Sequence, residues 1–346
     1  MNLINTRYSF MSAYLKGEEA RSVTAEHIDA VLQRSASFKD AIESIKSTDI
    51  GEYLWEQQVS EIGGIDELLW NYLRFCIERI EKFRLPKDLA ILIETYNEKF
   101  DILNLKIALR NIVSDDSAKM AQIGKLYKDN VLDELMKAEN IQDISNILSK
   151  SPLVEYTYLL NNIKEIDHRS IIEGENGLDN LYNFFLLKKM SLMDEGDLLV
   201  KAFGIILDIE NLKLVFRSNL TESASPFFGS FWSGGHMLQE QAINEFLSLK
   251  PTDIMSRLEH TEYYLMAEDI VKAYEKERII SVVDRTADKH KIRLLKELLS
   301  PRTLSPCNLF WYFFVKELEI KNVRLILKTL ADGLPPAVIR EYAVAL

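Results

Sequence analysis

The side chains that could carry acid–base, nucleophilic or metal chemistry are few and scattered in this chain. Its five histidines, His27, His168, His236, His260 and His290, never fall at the i, i+4 spacing that lets two imidazoles of an H-E-x-x-H helix share a zinc ion. Neither Cys76 nor Cys307 lies close in sequence to a histidine. A G-x-x-x-x-G-K-[ST] phosphate loop is absent, as is a G-x-G-x-x-G turn, and Gly234-Gly235 alone carries no nucleotide signal. The adjacent carboxylates Glu18-Glu19 and Asp115-Asp116 read as loop or surface, where solvated charge rather than proton transfer is their role. No catalytic, cofactor-binding or metal-ligating residue is assigned.

A different constellation does recur. Asp101-Ile-Leu-Asn104-Leu-Lys-Ile-Ala-Leu-Arg110 returns as Asp208-Ile-Glu-Asn211-Leu-Lys-Leu-Val-Phe-Arg217 and again as Glu319-Ile-Lys-Asn322-Val-Arg-Leu-Ile-Leu-Lys328. The formula is acid-Ile-x-Asn-apolar-base, three mostly apolar residues, then a second base, with 107 and 111 residues between successive asparagines. A second phrase, Asp-Ile-x-x-x-Leu, occurs at Asp49–Leu54, Asp143–Leu148 and Asp253–Leu258, in the same order relative to the first. Two signatures advancing together mark an internal triplicate. The expected division is residues 1–114 (with an N-terminal extension), 115–220 and 221–346.

In the decapeptide the acid and the asparagine are three residues apart, on one helical face that Ala108, Val215 and Ile326 continue inward. A buried amide there must be satisfied. It either bonds a neighbouring helix or loop and fixes the packing of its repeat, or offers a polar handle to a partner. The first reading is favoured, because an active site is usually needed once and this set occurs three times.

The elements that hold these residues read as helices almost throughout. Glycine numbers 13 and proline 8, and apolar residues recur at three or four rather than two. Helices are expected at about 25–35, 65–83, 86–112, 180–193, 195–217, 267–286 and 309–330. Breaks are expected at Ser114–Ser117, at Glu173–Gly177 before the second repeat's helix pair, and at Ser300-Pro301 and Ser305-Pro306. Thr48 and Thr252 are placed to cap the helices that Asp49 and Asp253 begin. The least regular stretch, Ser218–His236, holds Phe227, Phe228, Phe231 and Trp232, which must pack back on the chain, the favoured reading, or bury against a partner. A basic run, Arg285, Lys289, His290, Lys291, Arg293 and Lys296, could face an acidic partner or anionic lipid. The favoured account is a solvated face balanced by Asp284, Asp288 and Glu297.

Composition narrows the classes. With 346 residues, 47% hydrophobic and 27% charged, the chain can bury a large core over two or three units and is expected to be folded and soluble. A net charge of −11 opposes binding to nucleic acid. The longest apolar run, Leu309–Val315, falls far short of the roughly 18–20 residues of a membrane span. Met1–Arg7 lacks a signal-peptide pattern, and two cysteines fit a reducing cytosol.

The decapeptides resemble one family. With Phe310-Trp-Tyr-Phe-Phe-Val-Lys-Glu317 before the third, and Gly333-Leu-Pro-Pro336 and Ile339-Arg-Glu-Tyr342 after it, the chain is similar from about Tyr8 onward to the C subunit of A/V-type ATPases, the counterpart of the d subunit of eukaryotic V-type ATPases. In that pattern Gly333 ends a helix and Pro336 opens the next. At the start Tyr8, Phe10, Ala13 and Tyr14 fit the family, but Leu15-Lys16-Gly17 replaces an arginine-bearing stretch. The resemblance implies an all-α, funnel-like fold of three helical bundles with pseudo-threefold symmetry. It implies a non-catalytic, cofactor-free part of the rotor, peripheral on the cytoplasmic face of the membrane. Such a protein joins the proteolipid ring to the central-stalk subunits, touches the membrane only through its partners, and passes torque for ATP-coupled proton or sodium transport. The alternatives are a free cytosolic helical-repeat scaffold for a protein partner and, lacking any proposable catalytic set, an unrecognised helical enzyme.

Overall fold

The computed structural model describes residues 6–34, 37–59, 63–113, 118–163, 167–221, 231–335 and 337–344. Among them the regular elements are helices, and no strand occurs. In chain order these are α1 (Ser9–Glu19), α2 (Ala25–Arg34), α3 (Phe38–Ser44), α4 (Asp49–Glu56), α5 (Ile65–Glu81), α6 (Lys87–Val113), α7 (Lys125–Lys128), α8 (Leu132–Met136) and α9 (Ile141–Leu148). They continue with α10 (Thr157–Asn161), α11 (His168–Met190), α12 (Gly196–Leu220), α13 (Glu240–Phe246), α14 (Pro251–Arg257), α15 (Tyr264–Glu277), α16 (Val282–Leu299), α17 (Pro306–Ala331) and α18 (Ala337–Tyr342). The all-α expectation holds, and no described helix is long and apolar enough to cross a membrane.

The chain packs as two compact units, residues 1–89 with 272–346, and residues 90–271, crossing from one to the other inside α6 and returning inside α15. This grouping follows packing, whereas the three repeats concern sequence similarity. In the first unit α17 is the central element, with α1, α3, α5, α16 and α18 against it. It is apolar around most of its circumference: Leu309, Trp311, Phe313, Val315, Val323 and Ile326 are all buried, the pattern of a core helix. Ser305 caps it, accepting from the Cys307 N–H at 3.2 Å, with Pro306 in the first turn. Gly333 ends it as expected: at φ +64° its N–H donates to Leu330 O, and the Leu334 N–H donates to Thr329 O, the paired bonds of a Schellman stop. Pro336 and the Ser114–Ser117 break lie outside the described residues.

In the second unit α11 packs against α12, α13 and α14 pack against α12, and α10 contacts both α9 and α11. Their turn is tight, since a Cβ on Gly196 would stand 2.5 Å from Met190 O. Several expectations need correction. Glu173–Gly177 is no break but lies within α11, where Gly174 lets Ile163 approach the helix closely, so tertiary packing overrides glycine's weak helix propensity. The helix expected to begin at 180 therefore starts at His168, capped by Asp167, which accepts from the Ser170 N–H at 2.7 Å. The expected helix 267–286 is two, α15 and α16, separated where Arg278 adopts φ +57°. Thr48 does cap α4, accepting from the Gly51 N–H at 3.1 Å. Thr252 does not cap α14, because that helix starts at Pro251, two residues before Asp253, and leaves Lys250 at the cap.

Candidate functional site

The three decapeptides lie on α6, α12 and α17, the long helices of 27, 25 and 26 residues. Each carries its acid and asparagine on a buried face: Asp101, Asn104, Asp208 and Asn211 are 0% exposed, Glu319 1% and Asn322 3%. Ala108, Val215 and Ile326 are buried on the same face.

Each asparagine grips one downstream residue by both main-chain groups. Asn104 Nδ2 donates to Ala121 O at 2.9 Å while the Ala121 N–H donates to Asn104 Oδ1 at 2.7 Å. Asn211 does the same to Trp232, at 2.8 and 3.0 Å, and Asn322 to Val344, at 3.0 and 3.2 Å. The amide thus replaces the secondary-structure partner these main-chain groups lack. Asparagine is the shortest side chain that presents a donor and an acceptor side by side, so the pattern explains the residue type.

The acids hold the following turn. Lys125 and Leu126, at the start of α7, donate main-chain N–H groups to Asp101, both at 2.9 Å. Met237 and Leu238 donate to Asp208 at 2.7 and 3.3 Å, and the Tyr263 hydroxyl adds a bond of 2.7 Å. Glycines make room for both. Gly124 has φ +99°, and a Cβ there, or on Gly235, would collide with the Asp101 or Asp208 carboxylate. Glu319 accepts from the Val23 N–H at 2.8 Å.

The bases of the formula tie two of the helices to neighbours. Lys106 and Arg110 meet Asp179 and Glu175 of α11, at 2.6 and 2.5 Å, while Arg324 and Lys328 share Asp66 of α5, at 2.7 and 3.3 Å.

Burial pushes the Asp101 carboxyl up to about 7 against the opposing pull of its two N–H bonds. Burial likewise raises Asp208. In the unfolded chain Asp101 titrates near 3.9, so between the two values the folded state binds a proton that the unfolded state has released. Its contribution to stability is therefore fully present below the unfolded value and is lost as pH rises through about 7. Between about pH 6 and 8 the loss is about 1.4 kcal/mol. Urea midpoints measured across that window should fall more steeply for the natural chain than for Asp101→Asn; parallel slopes would count against it.

A second cluster joins α1, α4, α5 and α17. The Lys316 ammonium, fully buried, lies 2.9 Å from Glu319 Oε2 and 3.6 Å from Asp49 Oδ2, and donates to the Tyr72 hydroxyl at 2.9 Å. Arg79 bridges Glu18 at 2.5 Å and Asp49 at 3.4 Å. Burial by itself disfavours the lysine's charge, but Glu319 and Asp49 outweigh it and hold the ammonium above the ordinary lysine range. For Asp49 the opposing cost of burial is outweighed by Lys316, Arg79 and Arg21, and its carboxyl is held below the usual value. Glu18-Glu19, expected as a solvated surface pair, is corrected here: Glu18 is buried on Arg79, and Glu19 accepts from Trp311 Nε1 at 2.9 Å. Sequence reasoning misses Lys316 altogether, because no repeated position signals it.

The remaining candidates stay apart. His27 bonds Thr24 and Ser47, and His290 lies beside Arg293, while His236 and His260 are exposed. The His168 side chain and Asp115-Asp116 lie outside the described residues. Burial pushes the Cys76 thiol up to about 12, so at neutral pH it is not a nucleophile. Among the described residues no three His, Cys, Asp or Glu side chains group to hold a metal. A groove of about 750 Å³ between α3 and α4 has only Ser37, Lys39, Glu56 and Gln58 as polar lining. In the basic run Lys291 pairs with Asp288 and Arg293 with Glu297, two of the expected acids, but Arg285 pairs with Glu277 and Glu341, and Asp288 is buried, so the expected solvated face is balanced yet only partly exposed. Of the aromatic stretch, Phe231 and Trp232 are half-buried and held to Asn180 and Asn211 through their main chain; residues 222–230, with Phe227 and Phe228, lie outside the described residues.

The side chains that converge are therefore devices for fixing helices and loops. Residues 11–342 match the family model described as ATP synthase (C/AC39) subunit. The chain is 23% identical over 349 residues to the C subunit of the A-type ATP synthase of Methanocaldococcus jannaschii, covering 98% of this chain and 86% of that protein. It is 24% identical to the corresponding A-type ATP synthase protein of Thermococcus kodakarensis and 26% identical to that of Pyrococcus abyssi, each over 97% of this chain and 90% of the relative.

Proposed function

The chain belongs to the ATP synthase (C/AC39) subunit family, and we propose that it is a non-catalytic subunit of an A/V-type rotary ATPase that joins the membrane proteolipid ring to the central stalk and passes torque between them. The observation that carries this reading is the match across residues 11–342, with relatives that are C subunits of A-type ATP synthases aligned over nearly their whole length. The geometry supports it physically. A torque adaptor needs helices that do not slide against the segments that follow them, and each motif helix is pinned to the segment after it by the main-chain bonds of a buried asparagine, with the acid adding its own on α6 and α12. Three repeats, 1–114, 115–220 and 221–346, would each contribute one such helix. Its place is peripheral, at the cytoplasmic face, with membrane contact through the proteolipid.

Purification of the tagged chain from its native host in mild detergent, with mass spectrometry of everything retained through size exclusion, tests this. Co-elution of a proteolipid with central-stalk and nucleotide-binding subunits is the expected result. Elution alone or with soluble partners only would overturn the adaptor and leave an independent scaffold.

A further inference from the structure

The three motif helices find their loop partners in the same order, with one exception. After α6 the chain supplies Ala121 to the asparagine and then Lys125 and Leu126 to the acid, before the Asp-Ile-x-x-x-Leu helix α9. After α12 it supplies Trp232, then Met237 and Leu238, before the corresponding helix α14. After α17 it supplies Val344 to Asn322, but the main-chain donor to Glu319 is Val23, 296 residues earlier in the chain. Val23 in turn precedes α4, the first Asp-Ile-x-x-x-Leu helix. The sequence of events asparagine partner, acid partner, Asp-Ile helix is thus preserved if the chain is read from residue 344 on to residue 8.

We propose that residues Tyr8–Thr24 are a strap that completes the third motif from the opposite end of the chain, so that the third repeat is discontinuous. The inference rests on the three-repeat reading above and moves this segment out of the first repeat. The strap is embedded: Tyr8, Met11, Leu15 and Val23 are each at most 2% exposed, and α1 packs along α17. Three polar contacts run from it to α17 or its partners: Val23 N–H to Glu319, Trp311 Nε1–H to Glu19, and Arg79 to Glu18. The compact unit that unites residues 1–89 with 272–346 is what such a closure produces. Terminal segments exchange and fray unless tied down, and this one is tied at the middle of a core helix.

Amide hydrogen exchange on the full chain tests the strap. The Val23 amide is expected to exchange within about tenfold of the slowest amides of α17, because both open only with their unit. Removal of residues 1–24 is expected to abolish protection along α17 while α12 keeps its own, and a peptide of residues 6–24 added in trans should restore it. Val23 exchanging like a free terminal amide, or α17 keeping full protection after the deletion, would overturn the strap. Neither result bears on whether the chain co-elutes with a proteolipid, so the two readings fail separately.

Discussion

Replacing Lys316 with methionine is expected to cost about 3–5 kcal/mol of unfolding free energy at neutral pH, the range for removing one partner of a buried ion pair. The side chain is fully buried, and its ammonium is 2.9 Å from Glu319 and 3.6 Å from Asp49. Methionine keeps most of the volume, so the loss reports charge rather than a cavity. Two carboxylates then remain without their cation, although Asp49 retains Arg79 and Glu319 retains the Val23 N–H. Burial already holds the Glu319 carboxyl above the usual carboxylate range against the pull of Lys316, and loss of that cation raises its folded-state affinity for protons further. The sign follows: the folded variant takes up protons the unfolded chain has released, so its stability should recover as pH falls from 7 toward about 4. Denaturant midpoints at several pH values check both statements. A loss below about 1 kcal/mol, with no recovery in acid, would mean the cluster is worth no more than an exposed pair.

What could be read in advance divides by whether a residue's partner is near in sequence or repeated. The helices on which the motifs sit are legible, since apolar spacing of three and four with few glycines leaves little alternative. Thr48 is legible because a cap acts within one turn, and Thr252 misleads because Pro251 begins the helix two residues sooner than Asp253. Asn104, Asn211 and Asn322 are legible as buried and bonded because the same residue types recur on a face that must pack inward. Lys316 is not. The position three before the acid is Glu98 on α6, bonded to the Tyr156 hydroxyl at 2.7 Å, and Ile205 on α12. No common formula marks it, and its partners Tyr72 and Asp49 come from the far end of the chain. The same distance hides Val23. The buried Glu18 looks solvated for a related reason: only the fold brings Arg79 to it.

The asparagines offer the sharper test of what the repeated motif does. Asn211→Ala removes the side chain that bonds the Trp232 main chain and leaves one N–H and one C=O without that partner. Each such group costs about 1–3 kcal/mol when it stays out of water, so the summed loss should exceed that of an ordinary surface change several-fold. Asn104→Ala is expected to be at least as costly, because Ala121 and Asn104 are both buried, whereas Trp232 is only half-buried and water can reach part of its main chain. Asn→Asp at the same site separates the two halves of the grip. The carboxylate keeps the acceptor for the N–H but loses the donor to the C=O, and it adds a buried charge three residues from Asp101 or Asp208. That variant should therefore be the worse of the two at neutral pH and improve in acid. Thermal melts of the six single variants, three to Ala and three to Asp, give the order directly. Unchanged melting midpoints together with weakened assembly would make these asparagines contacts for another protein of the complex instead of locks within this one.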